Sequence, residues 1–99
     1  MRRRHVGDLL QATGGTLLSG DPSLSVRSYA IDTRRLSAGG AFFALRGARV
    51  DGHAFVGEAA RAGALLAIVA QKPTGGGPFP AAMIQVDDVA ASLARCGAY

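Results

Sequence analysis

The apolar positions of this chain follow two patterns, one typical of helices and one typical of strands. In His5–Thr13 they are spaced by three and four residues, which predicts a short amphipathic helix, and Gly14 then ends it. A short strand is predicted at Thr16–Ser19, before a turn. Polar and apolar residues alternate through Ser25–Ile31, which predicts one half-buried strand.

Two continuous apolar runs predict buried strands with a helix between them. Ala41–Leu45 and Leu65–Ala70 show no alternation, so both faces of each strand are expected to be covered. The intervening Ala54–Ala62 predicts a helix that buries Phe55 and stops at Gly63. This strand-helix-strand spacing is that of a βαβ unit, whose connection is long enough to make the two strands parallel.

The last third of the chain predicts a loop, a strand and a helix. Gln71–Ala81 is rich in proline and glycine, and its three consecutive glycines lack the GxxxxGK[ST] spacing of a phosphate-binding Walker loop. Met83–Val86 is the last predicted strand, and Asp87 or Asp88 is expected to cap the final helix. We therefore expect an α/β fold, a small mixed β-sheet flanked by helices, in a single domain over residues 1–99.

The composition is that of a globular chain with a basic surface. Of 99 residues, 48% are hydrophobic and 18% charged, with a net charge of +4. The Arg2–Arg4 cluster is expected to be a solvated tail. The other arginines of interest bracket the central loops, where guanidinium groups suit a phosphate-bearing ligand: Arg34, Arg35, Arg46 and Arg49. Nucleic acid is a weaker expectation, because aromatic residues make up only 6% and no known nucleic-acid-binding motif is present.

Cysteine content and hydropathy indicate the cellular compartment of the protein. The single cysteine, Cys96, excludes an internal disulfide and a multi-cysteine zinc site. No stretch approaches the roughly 20 apolar residues that span a bilayer. After its arginines the N-terminus carries Asp8 where a signal peptide needs apolar residues. We expect a cytoplasmic protein that does not insert into a membrane.

The candidate site lies in two polar loops on either side of the Ala41–Leu45 strand. Thr33 and Arg34 follow a predicted strand, and the carboxyl ends of strands are where open α/β sheets bind small molecules. Asp32 is expected to order this loop by bonding Arg34 or backbone amides. In the second loop, Gly47 and Gly52 would allow a close approach of the backbone to a ligand, or simply form turns.

Two further residues of the second loop have a structural and a functional interpretation. His53 precedes a predicted helix, so it would either order the loop or contact a ligand. A metal site is not expected, because no HxxxH spacing is present. Asp51 would either bond the turn backbone or contact the ligand. No nucleophile and base are paired in the sequence, and no catalytic residue is predicted.

An ordered series of motifs resembles the N-terminal domain of the Mur ligases. The family patterns are D[ST]R, PGDLFVAL, KGxxxDGHDF and, after an alanine-rich helix, GAxAxxV. The matching segments here are Asp32-Thr33-Arg34, Ala38–Leu45, Gly47–Phe55 and Ala59–Val69. Two departures occur in the second motif: Ala38 replaces the usual proline, and the aspartate of the turn is absent.

The resemblance implies that the domain holds the uridine and diphosphate end of a UDP-N-acetylmuramoyl (UDP-MurNAc) peptide. Thr33 and Arg34 would contact or order this end, and the second loop would line the uracil pocket partly through its backbone. The substrate-binding residues so implied are Thr33, Arg34, Arg46, Gly47, Ala48, Arg49, Val50, Asp51, Gly52 and His53.

The resemblance also implies what lies outside these residues. ATP and Mg²⁺ would bind in a central ATPase domain, and a C-terminal domain would bind the added amino acid. Neither domain is in this chain, which would be catalytically silent alone and would have the rest of the ligase as its partner. The full-length enzyme would act in peptidoglycan precursor synthesis, as a MurF-type or, alternatively, a MurE-type ligase. A stand-alone nucleotide-binding module remains a rival hypothesis.

Overall fold

A five-stranded mixed sheet forms the centre of the molecule in a computed structural model that describes residues 4–45, 52–73 and 77–96. The strands are β1 (Arg4–His5), β2 (Thr16–Ser19), β3 (Ser25–Val26), β4 (Tyr29–Ala30), β5 (Ala41–Phe43), β6 (Leu66–Val69) and β7 (Ala82–Gln85). The helices are α1 (Val6–Thr13), α2 (Val56–Arg61) and α3 (Val89–Arg95), and two short 3-10 helices cover Thr33–Arg35 and Gly52–Phe55. The predicted α/β class is confirmed.

Strand order brings four parallel strands together. Across the sheet the order is β2-β7-β6-β5-β4, with β4 to β7 parallel and β2 antiparallel to β7. Helix α2 connects β5 to β6, which confirms the predicted βαβ unit. Strands β1 and β3 pair in a separate two-stranded sheet. Because β4 to β7 run in one direction, the segments that follow them all emerge at one edge, called here the carboxyl edge.

The central strands are buried on both faces, as their continuous apolar sequence predicts. In β5, Phe43 belongs to a cluster with Leu9 of α1 and Val89 of α3. Phe42, its neighbour in sequence, faces the opposite side and belongs to a cluster with Val56 of α2. Helices α1 and α3 therefore cover one face of the sheet and α2 covers the other.

Local sequence signals mark the end of α1 and the start of α3. Gly14 caps the C-terminus of α1 in the left-handed conformation, with φ 66°, and its N–H donates to the carbonyl of Leu10. Asp88 caps α3, since its Oδ1 accepts from the N–H of Ala91 at 3.1 Å. Both predicted caps are confirmed.

The single strand predicted over Ser25–Ile31 is wrong, because the backbone changes partners midway. β3 pairs with β1, whereas β4 pairs with β5 in the main sheet. Between them, the N–H of Arg27 donates to the carbonyl of Gly39 at 3.0 Å. Alternating hydropathy indicates which side chains are covered but not which strand is the pairing partner. The prediction therefore merged β3 and β4 into a single strand.

Two expectations about burial are also corrected. Phe55 was expected on the buried side of a helix starting at Ala54, but α2 begins at Val56 and Phe55 remains 36% exposed. A 3-10 turn has a different angular spacing from an α-helix, so Phe55 does not share the buried face of α2. Arg4 lies half-buried in β1 opposite Val26 and is therefore not part of a solvated tail. Arg2 and Arg3 lie outside the described residues.

Candidate functional site

The carboxyl edge of the sheet collects the segments that the sequence marks as polar. The Thr33–Arg35 3-10 helix follows β4, and the loop that follows β5 leads through Gly52–Phe55 into α2. Asp87 and Asp88 follow β7. Ligands of open α/β sheets bind outside this edge, so the candidate site lies here.

Asp32 and Arg34 form a closed pair within the first of these segments. Oδ1 of Asp32 accepts from the backbone N–H of Arg34 at 2.9 Å, and the guanidinium Nη2 of Arg34 donates to Oδ2 at 2.9 Å. The side-chain bond to Arg34, followed by the backbone bond, holds the pKa of Asp32 below its usual range. Asp32 therefore orders the turn, as predicted, through both kinds of bond.

Pairing with Asp32 leaves Arg34 with part of its donor capacity. Its Nε and Nη2 are engaged by the carboxylate, while Nη1 has no bonding partner within residues 4–45, 52–73 and 77–96. The side chain of Arg34 is 87% exposed. A ligand phosphate can therefore still receive hydrogen bonds from Arg34, although Asp32 offsets part of its charge.

The Asp32–Arg34 pair predicts a specific titration. A carboxyl pKa that is lowered in the fold contributes stability above the unfolded value near 3.8, and this is lost as pH falls through the lower folded pKa. We expect Arg34→Gln to raise the titration midpoint of Asp32 towards 3.8, as followed by the carboxyl carbon shift in NMR. Asp21, whose pKa is lowered by Ser23 instead, is the internal control and should not move. An unchanged Asp32 midpoint would contradict the pairing.

A hydrogen bond joins the two segments on either side of β5. The hydroxyl of Thr33 donates to Oε2 of Glu58 at 3.1 Å, across 25 positions of sequence. Glu58 lies in the first turn of α2, directly after Gly52–Phe55. The turn after β4 is thereby held beside α2, the helix that follows the second predicted loop.

The structure describes only part of the predicted second loop. Gly52 and His53 lie in the Gly52–Phe55 3-10 helix, so His53 stands at the entrance to a helix, as predicted. The remaining predicted residues lie outside the described residues: Arg46, Gly47, Ala48, Arg49, Val50 and Asp51. Their roles stay predictions.

Three residues at this edge were missed by the sequence argument as components of a site. Ile31, beside Asp32, is 54% exposed, and Phe55 is 36% exposed, so large apolar side chains are accessible at this edge. Glu58 was missed because nothing in the linear sequence couples it to Thr33. The only available signal was an acidic residue near the start of a predicted helix, which is common at helix N-termini.

A small groove of about 260 Å³ extends the carboxyl edge over β5, β6 and β7. Pro78 of the segment after β6 approaches Gly57 of α2, whereas α3 after β7 packs on the opposite face. Neighbouring strands whose connections leave to opposite faces open a crevice between them, the position where α/β sheets favour ligands. The groove is lined by Ala44, Leu45, Ala70, Asp87, Asp88, Val89 and Ala90.

The described part of the chain has neither a membrane-spanning helix nor a cluster of metal ligands. None of its helices is long and apolar enough to cross a bilayer. None of its side chains forms a group of three or more histidine, cysteine, aspartate or glutamate residues that could hold a metal ion.

The family model and the similar sequences indicate the same family. Residues 25–96 match the model described as Mur ligase family, catalytic domain. The UDP-N-acetylmuramoyl-L-alanyl-D-glutamate--2,6-diaminopimelate ligase of Mesorhizobium japonicum is 35% identical over 98 residues, which cover 99% of this chain and 19% of that protein. The ligase of the same name from Chelativorans sp. is 36% identical, with the same two coverages of 99% and 19%. The chain spans about a fifth of the length of these relatives.

Two solved structures with a similar fold are also Mur ligases, but of the MurF type. MurF from Acinetobacter baumannii matches with a TM-score of 0.84 at 28% identity, covering 98% of this chain and 21% of that one. MurF from Thermotoga maritima, solved in complex with ADP, matches with a TM-score of 0.59 at 30% identity, covering 71% and 16%. The family resemblance seen in the motifs is confirmed, whereas the relatives include both ligase types.

Proposed function

This chain belongs to the Mur ligase family, and we propose that it forms the domain that anchors the uridine diphosphate end of a UDP-MurNAc-peptide. The observation that carries the proposal is the contact at the carboxyl edge between the turn after β4 and the start of α2. The Thr33–Arg35 turn and the helix that follows the second loop are held together there by the Thr33–Glu58 bond. The names of the similar ligases, which begin with UDP-N-acetylmuramoyl, support the substrate class.

The side chains at this edge offer the groups that a nucleotide diphosphate needs. The exposed Nη1 of Arg34 can donate to a phosphate oxygen. Ile31 and Phe55 add exposed apolar surface on which a planar base can pack. The second loop, with its two arginines and two glycines, would supply further donors from side chains and backbone.

The residues of this chain do not fit ATP with Mg²⁺. The sequence has no GxxxxGK[ST] motif, and the described residues hold no cluster of metal ligands. We therefore assign the ATP-dependent chemistry of the family to other parts of the full-length ligase, and to this domain only the binding of the substrate's nucleotide. Binding energy from such an unreacting handle positions the reacting carboxyl group elsewhere.

A MurF-type ligase is our first candidate for the whole enzyme and a MurE-type ligase the second. The fold similarity to MurF favours the first, and the sequence similarity to diaminopimelate ligases favours the second. The assay that separates them gives the full-length enzyme ATP with UDP-MurNAc-tripeptide and D-alanyl-D-alanine, or with UDP-MurNAc-dipeptide and a diamino acid. Turnover of only one pair identifies the branch and, with it, the step in peptidoglycan precursor synthesis.

Arg49→Ala tests the second loop as part of the binding site. Losing a charged hydrogen bond to the diphosphate should weaken UDP binding by about ten- to a hundredfold, since such bonds contribute roughly 1.5–3 kcal/mol. The measurement is a calorimetric titration of the full-length protein with UDP, together with a melting curve that shows an intact fold.

Arg61→Ala is the matched control for this prediction. Arg61 is also an arginine, and it is exposed in the last turn of α2, towards the opposite edge of the sheet. Its removal should leave the affinity for UDP unchanged. Equal affinities of the Arg49 variant and the unmodified protein would remove Arg49 from the site.

A further inference from the structure

The bond between Thr33 and Glu58 fixes the direction in which the Thr33 hydroxyl can interact. A hydroxyl has one proton to donate and two lone pairs to accept with, whereas a carboxylate can only accept. In the 3.1 Å bond, the hydroxyl of Thr33 therefore donates its hydrogen bond to Oε2 of Glu58. What Thr33 can still offer to a ligand at this edge is its lone pairs.

The surroundings of Thr33 give this bond a second role. Within the described residues, Asp32 and Arg34 bond each other, and Thr33 alone in the 3-10 helix has a side-chain hydrogen bond to another element. Glu58 thus sets both the position and the polarity of Thr33. Its negative charge beside the hydroxyl also repels an anion that would approach the same point.

We propose that Glu58 is a positioning residue that makes Thr33 a hydrogen-bond acceptor for an N–H or O–H group of the ligand's base or ribose. The inference rests on the proposed nucleotide site and assigns the orientation of the nucleotide within it. The phosphates lie towards the guanidinium of Arg34, which has donors and positive charge, and away from the Thr33–Glu58 pair.

This polarity has a consequence for base selection. Uracil carries an imide N–H that can donate to Thr33. Cytosine has an unprotonated ring nitrogen at the same position, so the lone pair of this nitrogen would face a lone pair of the Thr33 hydroxyl. A site that accepts at this point discriminates against the ligand that lacks the donor, because both acceptors are left unpaired. A ribose hydroxyl could supply the same donor, so the test includes a deoxyribose ligand.

The test is a set of calorimetric titrations of the full-length protein with UMP and UDP. Thr33→Val removes the acceptor at constant shape and should weaken both ligands by the same factor, about three- to tenfold for a neutral hydrogen bond. Glu58→Ala should cause a loss of similar size, and Glu58→Gln should restore affinity to within about twofold, because the amide oxygen still accepts from Thr33. In the Thr33→Val background, Glu58→Ala should add nothing.

A matched control separates this role from a general effect of removing a carboxylate. Asp21 also accepts from a hydroxyl, that of Ser23 at 2.8 Å, but it follows β2 at the opposite edge of the sheet. Asp21→Ala should not change the affinity for UMP or UDP. CDP and 2′-deoxy-UDP then locate the donor: weaker binding of CDP assigns it to the base, and weaker binding of 2′-deoxy-UDP assigns it to the ribose.

Three results would overturn the inference. A loss in Thr33→Val that grows from UMP to UDP would place a phosphate at Thr33. Full affinity in Glu58→Ala, or in Thr33→Val, would show that the pair does not orient the ligand. Lack of any uridine nucleotide binding by the unmodified protein would instead reject the proposed function, and the inference with it.

Discussion

Phe43→Ala should destabilise the domain by about 3–5 kcal/mol, the usual loss when a buried phenylalanine is truncated. Phe43 is 0% exposed and lies in β5, between β4 and β6. Its ring makes an edge-to-face contact with Tyr29 at a centroid distance of 5.7 Å. Truncation would therefore leave a cavity in the cluster beneath α1 and α3 and also remove an aromatic pair.

The measurement for Phe43 is the free energy of unfolding from a urea titration of the chain. Phe79→Ala is the control, because Phe79 is 42% exposed and its truncation removes less buried area than truncation of the fully buried Phe43. That variant should differ from the unmodified chain by less than about 1 kcal/mol. A similarly small change for Phe43→Ala would contradict the placement of β5 in the centre of the sheet.

Gly20→Ala should cost at least about 2 kcal/mol, because both backbone conformation and space oppose a side chain there. Gly20 has φ 96°, a region that side chains rarely adopt. A Cβ at this position would lie 2.5 Å from Cβ of Ala82 and 2.6 Å from the carbonyl oxygen of Ala81. The turn after β2 can approach the start of β7 this closely only because residue 20 is glycine.

Gly14→Ala provides the matched comparison for Gly20. Gly14 also has a positive φ, 66°, but a Cβ there would meet nothing within 4 Å. Only the conformational cost should remain, about 1–2 kcal/mol. Unfolding titrations of the two variants should therefore rank Gly20→Ala as the less stable, and the reverse order would contradict the close contact between residues 20 and 82.

The strands and helices that could be predicted from the sequence are those with a strong local signal. The unbroken apolar runs gave β5 and β6, and the spacing between them gave the parallel βαβ unit. Asp88 and Gly14 marked helix ends because capping depends on residues close in sequence. The pairing partner of a two-residue strand is not a local property, so β3 and β4 were read as one strand.

The candidate site shows the same division between local and long-range information. The Asp32–Arg34 pair was predictable because its members are two residues apart and a loop acid commonly bonds a neighbouring arginine or amide. The Thr33–Glu58 bond spans 25 positions and depends on how α2 packs on the sheet, so no pattern in the sequence pointed to Glu58. The exposure of Phe55 likewise depends on α2 starting at Val56, two residues later than its apolar pattern suggested.

An NMR titration of the isotopically labelled chain tests the central claim most directly. UDP-MurNAc-tripeptide and UDP should both shift the amide signals of Thr33 and Arg34 and those of residues 47–53, while ADP leaves them in place. This result would establish a uridine-diphosphate anchor at the carboxyl edge. Equal shifts with ADP, or unshifted signals for these residues at millimolar UDP-MurNAc-tripeptide, would contradict it.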